Sequence, residues 1–346
     1  MVVDNRFAGR TLRVGLLGCG QVSANHVKAW SRLNDAKIVA CCDPARDRAL
    51  NRAVEAGGAA VYEDADEMLR REALDAIDII SPRHVHAENL QLAARYGVDA
   101  LCEKPLCPTY PEAQSLLDSI AGIIRIMVNE NWRFRPYYRK IGEWIAQGRL
   151  GRVVHYRVAL YRSGLIPDAE GRIDAIVRMP FVANEQRYLI AESLIHEFDV
   201  ARSLVGEMNV VASRVARVSP AIVGEDTASI LLESKDGVSV SVAGALMAAG
   251  FSSRAGDRLE IIGTRASAVL DDAQLSLLGP EPERHVFDEE AVRQGMFDDS
   301  IKHFVACLRT GEPFWTDATD QLATLKLVDE AYALAGSARV LSNFKS

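Results

Sequence analysis

Gly18-Cys19-Gly20-Gln21-Val22-Ser23 has the residue types and order that cradle a dinucleotide. In such a run the first glycine permits a tight turn and the second lets backbone approach a pyrophosphate. The helix that follows, opening at Gln21 and Val22, supplies N–H donors and the positive end of its dipole. The third position is Ser23, where Gly or Ala is usual. Asp43 follows Gly20 by 23 residues, near the ~20 at which a carboxylate accepts hydrogen bonds from the adenosine ribose. That charge would repel a 2′-phosphate and so selects NAD, whereas Arg46 could bind the phosphate of NADP. The competing reading is that the glycines only turn the chain and Asp43 caps the next helix.

Two further groups could act on a substrate. Lys104, in E-K-P at 103–105, closes an apolar run. A lysine held at a strand's carboxyl end can orient a hydroxyl and stabilise negative charge developing on it; alternatively it is a surface lysine before a turn proline. On a helix, Glu192, His196 and Asp199 fall at i, i+4 and i+7 along one face. A carboxylate beside a histidine raises its basicity and fixes its tautomer, which suits the ring to take a proton from an alcohol. The competing reading is a surface ion pair with a solvated ring. The order His196-Glu197-Phe198-Asp199 is not H-E-x-x-H, so no catalytic metal is expected.

These residues need elements to position them. Between residues 11 and 130, apolar runs at 12–17, 37–42, 76–80, 98–102 and 124–128 alternate with helical patterns at 22–33, 44–56, 88–96 and 111–120. Strands alternating with helices of this length predict βαβ units: an α/β Rossmann domain with a doubly wound parallel sheet. The later half changes rhythm. Runs at 153–161, 210–218, 227–233, 238–245, 259–262 and 268–270 follow one another without helices between them, and Lys235-Asp236-Gly237 is a hairpin signal. This predicts an α+β C-terminal domain with a large, mainly antiparallel open sheet, one face covered by helices at 192–204, 299–309 and 321–335. The expected division is 1–130 for dinucleotide binding and 131–346 for substrate binding and oligomerisation, with 162–187 an irregular loop over the active site.

A chain of 346 residues exceeds what one core usually serves. It is 49% hydrophobic and 25% charged, which argues against disorder. The net charge of −7 comes without a basic block, so nucleic acid is not an expected partner. No apolar run approaches the ~18 residues of a membrane helix, and the N-terminus has no apolar export stretch. Six cysteines without a C-x-x-C pair read as reduced residues of a cytoplasmic protein.

Taken together, G-C-G-Q-V-S at 18–23, Asp43, S-P-R-H-V-H at 81–86, E-K-P at 103–105, N-W-R-F-R-P at 131–136, G-R-L-G-R-V at 148–153 and E-S-L-I-H-E-F-D at 192–199 resemble, in order and spacing, the Gfo/Idh/MocA family. That family includes glucose–fructose oxidoreductase and inositol dehydrogenase. The resemblance implies that Lys104 is the catalytic lysine, His196 the proton acceptor and Glu192, where many members carry Asp, its charged neighbour. It further implies that Ser81, Pro82 and His86 line the nicotinamide side and that Glu103 lies near the nicotinamide ribose. Within the family, the stretch at 129–139 is similar to bacterial sugar dehydrogenases that include the D-apiose enzymes. Asn131, Arg133 and Tyr161 are then expected substrate contacts, with Arg178 and Tyr188 as further pocket residues; Arg133 and Arg135 would otherwise join the domains through ion pairs. The expectation is an NAD(P)-dependent dehydrogenase of a sugar or cyclic polyol, assembled as a homodimer or homotetramer through the C-terminal sheet. The alternatives are an NAD-dependent glycosidase of the same fold, a reductase of a C=N or C=C bond, and a non-catalytic NAD-binding regulator.

Overall fold

The computed structural model describes Phe7 and residues 9–254, 257–336 and 339–340, the last two by their backbone. It divides into two compact units. One runs through Phe134 and takes up Glu290–Leu325; the other is Arg135–Glu289 with the chain from Lys326 onward.

The first unit is built on six strands: β1 (Leu12–Leu17), β2 (Ala36–Cys42), β3 (Ala60–Tyr62), β4 (Ala76–Ile79), β5 (Asp99–Cys102) and β6 (Ile126–Val128). They pair in parallel in the order β3-β2-β1-β4-β5-β6. The central strands are apolar and buried along almost their whole length, as parallel strands covered on both faces must be. Five helices connect them: α1 (Ser23–Trp30), α2 (Arg46–Glu55), α3 (Ala65–Arg71), α4 (His86–Tyr96) and α5 (Tyr110–Ile120). Local signals set their ends. Asp64 accepts from the Glu67 N–H at 2.7 Å to cap α3, and Gly97, in the left-handed region at φ 66°, closes α4. The strand order reverses between β1 and β4, and the carboxyl ends there are where ligands bind in such sheets.

The second unit starts with α6 (Pro136–Ala146) and β7 (Val153–Tyr161). The expected irregular stretch carries a short helix α7 (Asp174–Arg178) and a 3-10 turn at Pro180–Ala183, and then leads into α8 (Ile195–Val205). Strands β8 (Met208–Arg217), β9 (Thr227–Ser234), β10 (Ser239–Ala245), β11 (Asp257–Gly263), β12 (Ser267–Asp271), β13 (Gln274–Leu278) and β14 (Glu283–Val286) follow. With β15 (Arg339–Val340) they form a nine-stranded sheet ordered β14-β13-β12-β11-β7-β10-β9-β8-β15. It is antiparallel except where β7 pairs with β10 and β15 with β8. Gly237, at φ 78°, turns β9 into β10 as the hairpin signal predicts. Burial alternates along β9 and β10, so one face is packed and the other open.

The two-part division at residue 130 does not describe the returning segment. Helix α9 (Glu289–Thr310) packs with the first unit, and α10 (Ala318–Ala335) carries the point of division. The physical reason is α9's apolar stripe of Phe297, Ile301, Phe304, Val305 and Leu308, all buried. Phe304 meets Trp30 edge-on with ring centres 6.4 Å apart and stacks on Phe314 at 5.3 Å. So α9 covers α1 within the first unit. A short apolar stripe identifies a buried face but not which unit buries it.

Candidate active site

The glycine loop leaves β1 at Leu17. Gly18 has φ 96°, and a Cβ there would lie 2.5 Å from the Ser81 backbone nitrogen, so only glycine fits where the loops after β1 and β4 touch. Gly20 differs: a Cβ on it would meet nothing within 4 Å. Its backbone faces open space beside the start of α1, which has no side-chain cap. That is the cradle a pyrophosphate needs. Gln21 and Val22 are exposed on the same turn. Ser23 is fully buried: its hydroxyl donates to the Gly20 carbonyl at 2.5 Å and accepts from Arg52 Nε at 2.8 Å. A hydroxyl in the third position thus ties α2 to the loop.

Asp43 ends β2 almost buried. Its Oδ2 accepts the Cys19 N–H and its Oδ1 the Ala45 N–H, each at 2.8 Å. The carboxylate therefore braces the glycine loop and the entry to α2, and each oxygen keeps a second lone pair. Arg46 is exposed and paired with Glu63 at 3.2 Å.

The loops after β4 and β5 are joined by His86. Its Nε2 lies 2.8 Å from the Ser81 carbonyl and its Nδ1 2.9 Å from that of Pro105, which follows a cis Lys104–Pro105 bond. Both ring nitrogens are spent on backbone, so His86 braces these loops from beneath. The Ser81 hydroxyl accepts from Asn89 Nδ2 at 2.9 Å, and Pro82 opens the turn into α4.

Glu103 and Lys104 follow β5, both half-buried. Glu103 Oε1 faces His26 Nε2 at 3.0 Å and accepts from Asn129 Nδ2 at 2.7 Å, while its Oε2 accepts the Lys104 N–H at 3.2 Å. Burial would raise the Glu103 carboxyl, but the His26 bond and charge, Lys104 and Asn129 bring it down to about 2. Buried Glu130, after β6, goes the other way. Burial lifts it to about 8 against the pull of Lys104 and Arg133. His26, Asn129 and Glu130 are absent from the sequence-based site: α1, β5 and β6 lie far apart in the chain, and only the strand order brings them together.

Asn131 and Trp132 lie buried in a 3-10 turn, Asn131–Phe134. Arg133 donates from Nη1 to the Trp315 carbonyl at 2.8 Å and from Nη2 to Asp320 at 2.9 Å. It ties the chain to the returning segment inside the first unit, at a residue the sequence leads one to expect as a substrate contact.

In the second unit, residues Leu189–Leu194 form a π-turn and α8 begins at Ile195. One helix over 192–204 was expected. Glu192 thus stands in the π-turn and His196 in the first turn of α8, and such turns recur at functional sites. Glu192 is half-buried and His196 nearly buried, while Glu197 and Asp199 are fully buried. Tyr188, also buried, feels the charges of Glu192, Arg178 and Arg162. Arg178 bonds Asp174 at 3.0 Å, and the half-buried Tyr161 packs its ring on Phe251 at 5.5 Å. Both Glu197 oxygens lack a hydrogen-bond partner. Burial first, then the charge of Asp257, holds that carboxyl well above the usual range despite Arg135 and Arg162. Arg135 itself pairs with Asp257 within this unit. Among the described residues, no group of three or more His, Cys, Asp or Glu side chains could hold a metal ion.

Residues 12–123 match the oxidoreductase family described as having an NAD-binding Rossmann fold, and residues 138–269 match the GFO/IDH/MocA C-terminal domain. The chain belongs to the Gfo/Idh/MocA family. Like its family, it is an NAD-dependent oxidoreductase. It is 30% identical to a D-apiose dehydrogenase of Paraburkholderia graminis, across 94% of this chain and 88% of that protein. It is 26% identical to an inositol 2-dehydrogenase of Rhizobium meliloti, across 96% and 99%. Among solved structures it is similar to an Agrobacterium radiobacter oxidoreductase in complex with NAD+, L-tartaric acid and magnesium. The TM-score is 0.87 at 25% identity, covering 94% of this chain and 96% of that one. The relatives so named are sugar and polyol dehydrogenases. This chain's glycine loop, open at Gly20 and beside an uncapped helix start, fits NAD. Among the described residues, no helix is long and apolar enough to cross a membrane.

Proposed function

We propose that this Gfo/Idh/MocA protein oxidises a hydroxyl of a sugar or cyclic polyol, with an aldose such as D-apiose as the leading substrate. The observation that carries this is the place of Lys104. It lies at the carboxyl end of β5, in the unit that holds the Gly18 and Ser81 loops, on a chain similar over nearly its full length to a D-apiose dehydrogenase. The backbone around Gly18, Gly20, Gln21 and Val22 would hold the pyrophosphate, and Ser81, Pro82 and Glu103 would flank the nicotinamide half. Bound NAD supplies the hydride acceptor. His196 takes the hydroxyl proton as the C–H bond gives up its hydride, Lys104 holds the same oxygen and stabilises its alkoxide character, and Glu192 raises the basicity of His196. Tyr161 and Glu192, both half-buried, are the side chains this reading sets against substrate hydroxyls.

The test is NADH absorbance with NAD and NADP separately, against aldoses including apiose, inositols and sugar acids. Lys104→Ala and His196→Ala should each lower kcat by about a hundredfold or more, with NAD still bound. Near-normal turnover in both variants would remove these assignments. Release of an aryl leaving group without net NADH would replace the reaction with glycoside cleavage.

We also infer a homodimer or homotetramer formed on the open face of the second unit's sheet, where Leu231, Ile262 and Leu278 stand exposed. A cytoplasmic location is supported by six buried cysteines, all unpaired.

A further inference from the structure

His26 has no part in the reaction proposed above, yet its ring is fully buried between two acids. It projects from α1, the helix that the glycine loop opens. Nδ1 lies 2.9 Å from Asp78 Oδ2 on β4, and Nε2 lies 3.0 Å from Glu103 Oε1 at the end of β5. Each oxygen is also held from a second side: Trp30 Nε1 donates to Asp78 Oδ2 at 2.7 Å, and Asn129 Nδ2 donates to Glu103 Oε1 at 2.7 Å. Ionised carboxylates only accept, so both ring nitrogens must donate, which only the doubly protonated ring can do. From α9, the Phe297 ring lies 5.2 Å away and brings no charge. Burial opposes the charge on His26, but Asp78 and Glu103 outweigh it and lift the ring to about 10.

The consequence lies at Glu103. One oxygen is filled from inside by His26 and Asn129. The other takes the Lys104 N–H on a side chain that keeps 13% of its surface exposed. The carboxylate is thus turned so that one edge is locked and the other looks outward, at the sheet end where ligands bind.

We propose that His26 is a positioning residue: a buried, charged bridge from Asp78 to Glu103 that fixes the Glu103 carboxylate and the backbone of Lys104 for cofactor and substrate. This rests on the reading of Lys104 and of the sheet end given above.

The ring is tested in the unaltered protein by its 15N chemical shifts. Both nitrogens should carry protons near pH 8; a neutral ring there overturns the proposal. Binding is tested by NAD titration without turnover. His26→Gln should weaken NAD binding about tenfold in the wild-type background. In a Glu103→Gln background it should change it hardly at all, because His26 acts through that carboxylate. Equal losses in both backgrounds, or no loss in either, would overturn it. If His26→Gln does not fold, the ring measurement still decides. A protein that shows the imidazolium and this coupling but oxidises no alcohol leaves His26 in place and removes only the dehydrogenase reading.

Discussion

Gly18 and Gly20 stand two residues apart and answer to different physics. At Gly18 a methyl group would strike backbone 2.5 Å away, at a φ that side chains avoid. Gly18→Ala should therefore lower the melting temperature, at a cost of about 1–3 kcal/mol, before any cofactor is added. At Gly20 the same methyl enters empty space. Gly20→Ala should melt like wild type and lose NAD affinity, and paired thermal melts and NAD titrations separate the two. Glu197 offers a third test. Its carboxyl is raised on folding, so the native state favours the neutral form. Its contribution is complete below the unfolded value of 4.5 and is lost as pH rises through the native one. Glu197→Gln removes that loss. The variant should match wild type near pH 4 and exceed it in melting temperature near pH 9. The spacing of Gly18, Gly20 and Asp43 was legible in the sequence. That Asp43 spends both oxygens on backbone N–H groups was not, because such bonds depend on how two loops meet.

At the scale of elements, the parallel sheet was legible because each strand is an apolar run between helical periods. The short β3, with three half-buried residues, had no such run and was not found. The π-turn at Leu189–Leu194 was also hidden, since it spans only six residues, four of them buried, too short a run to show a change of helical period. Arg133, expected to bind substrate, is also engaged by an element. Its guanidinium joins the 131–134 turn to Trp315 and Asp320. Arg133→Ala should cost about 1–2 kcal/mol of stability, seen as a lower melting temperature, with KM for the sugar unchanged. A large rise in KM with normal melting would return Arg133 to the substrate.

At the scale of the whole molecule, the open sheet presents Leu231, Ile262 and Leu278 among small and polar neighbours. Burying apolar side chains of this kind is what holds oligomers together. Leu231→Lys should shift the protein to a smaller species in light scattering coupled to size exclusion. A monomeric wild type would remove the sheet as an interface. The sequence foretold this sheet but not the membership of α9, whose partner, α1, lies more than 250 residues earlier in the chain.

That membership has a consequence during synthesis. Phe134 and Leu325 both belong to the first unit, and roughly 190 residues separate them. At about 5–20 residues per second, a ribosome needs about 10–40 s to span that gap. The first six strands emerge early, yet Trp30 waits about 14–55 s at that rate for Phe304, 274 residues later, to cover it. The dinucleotide-binding unit is begun on the ribosome before the second unit and completed only after most of it.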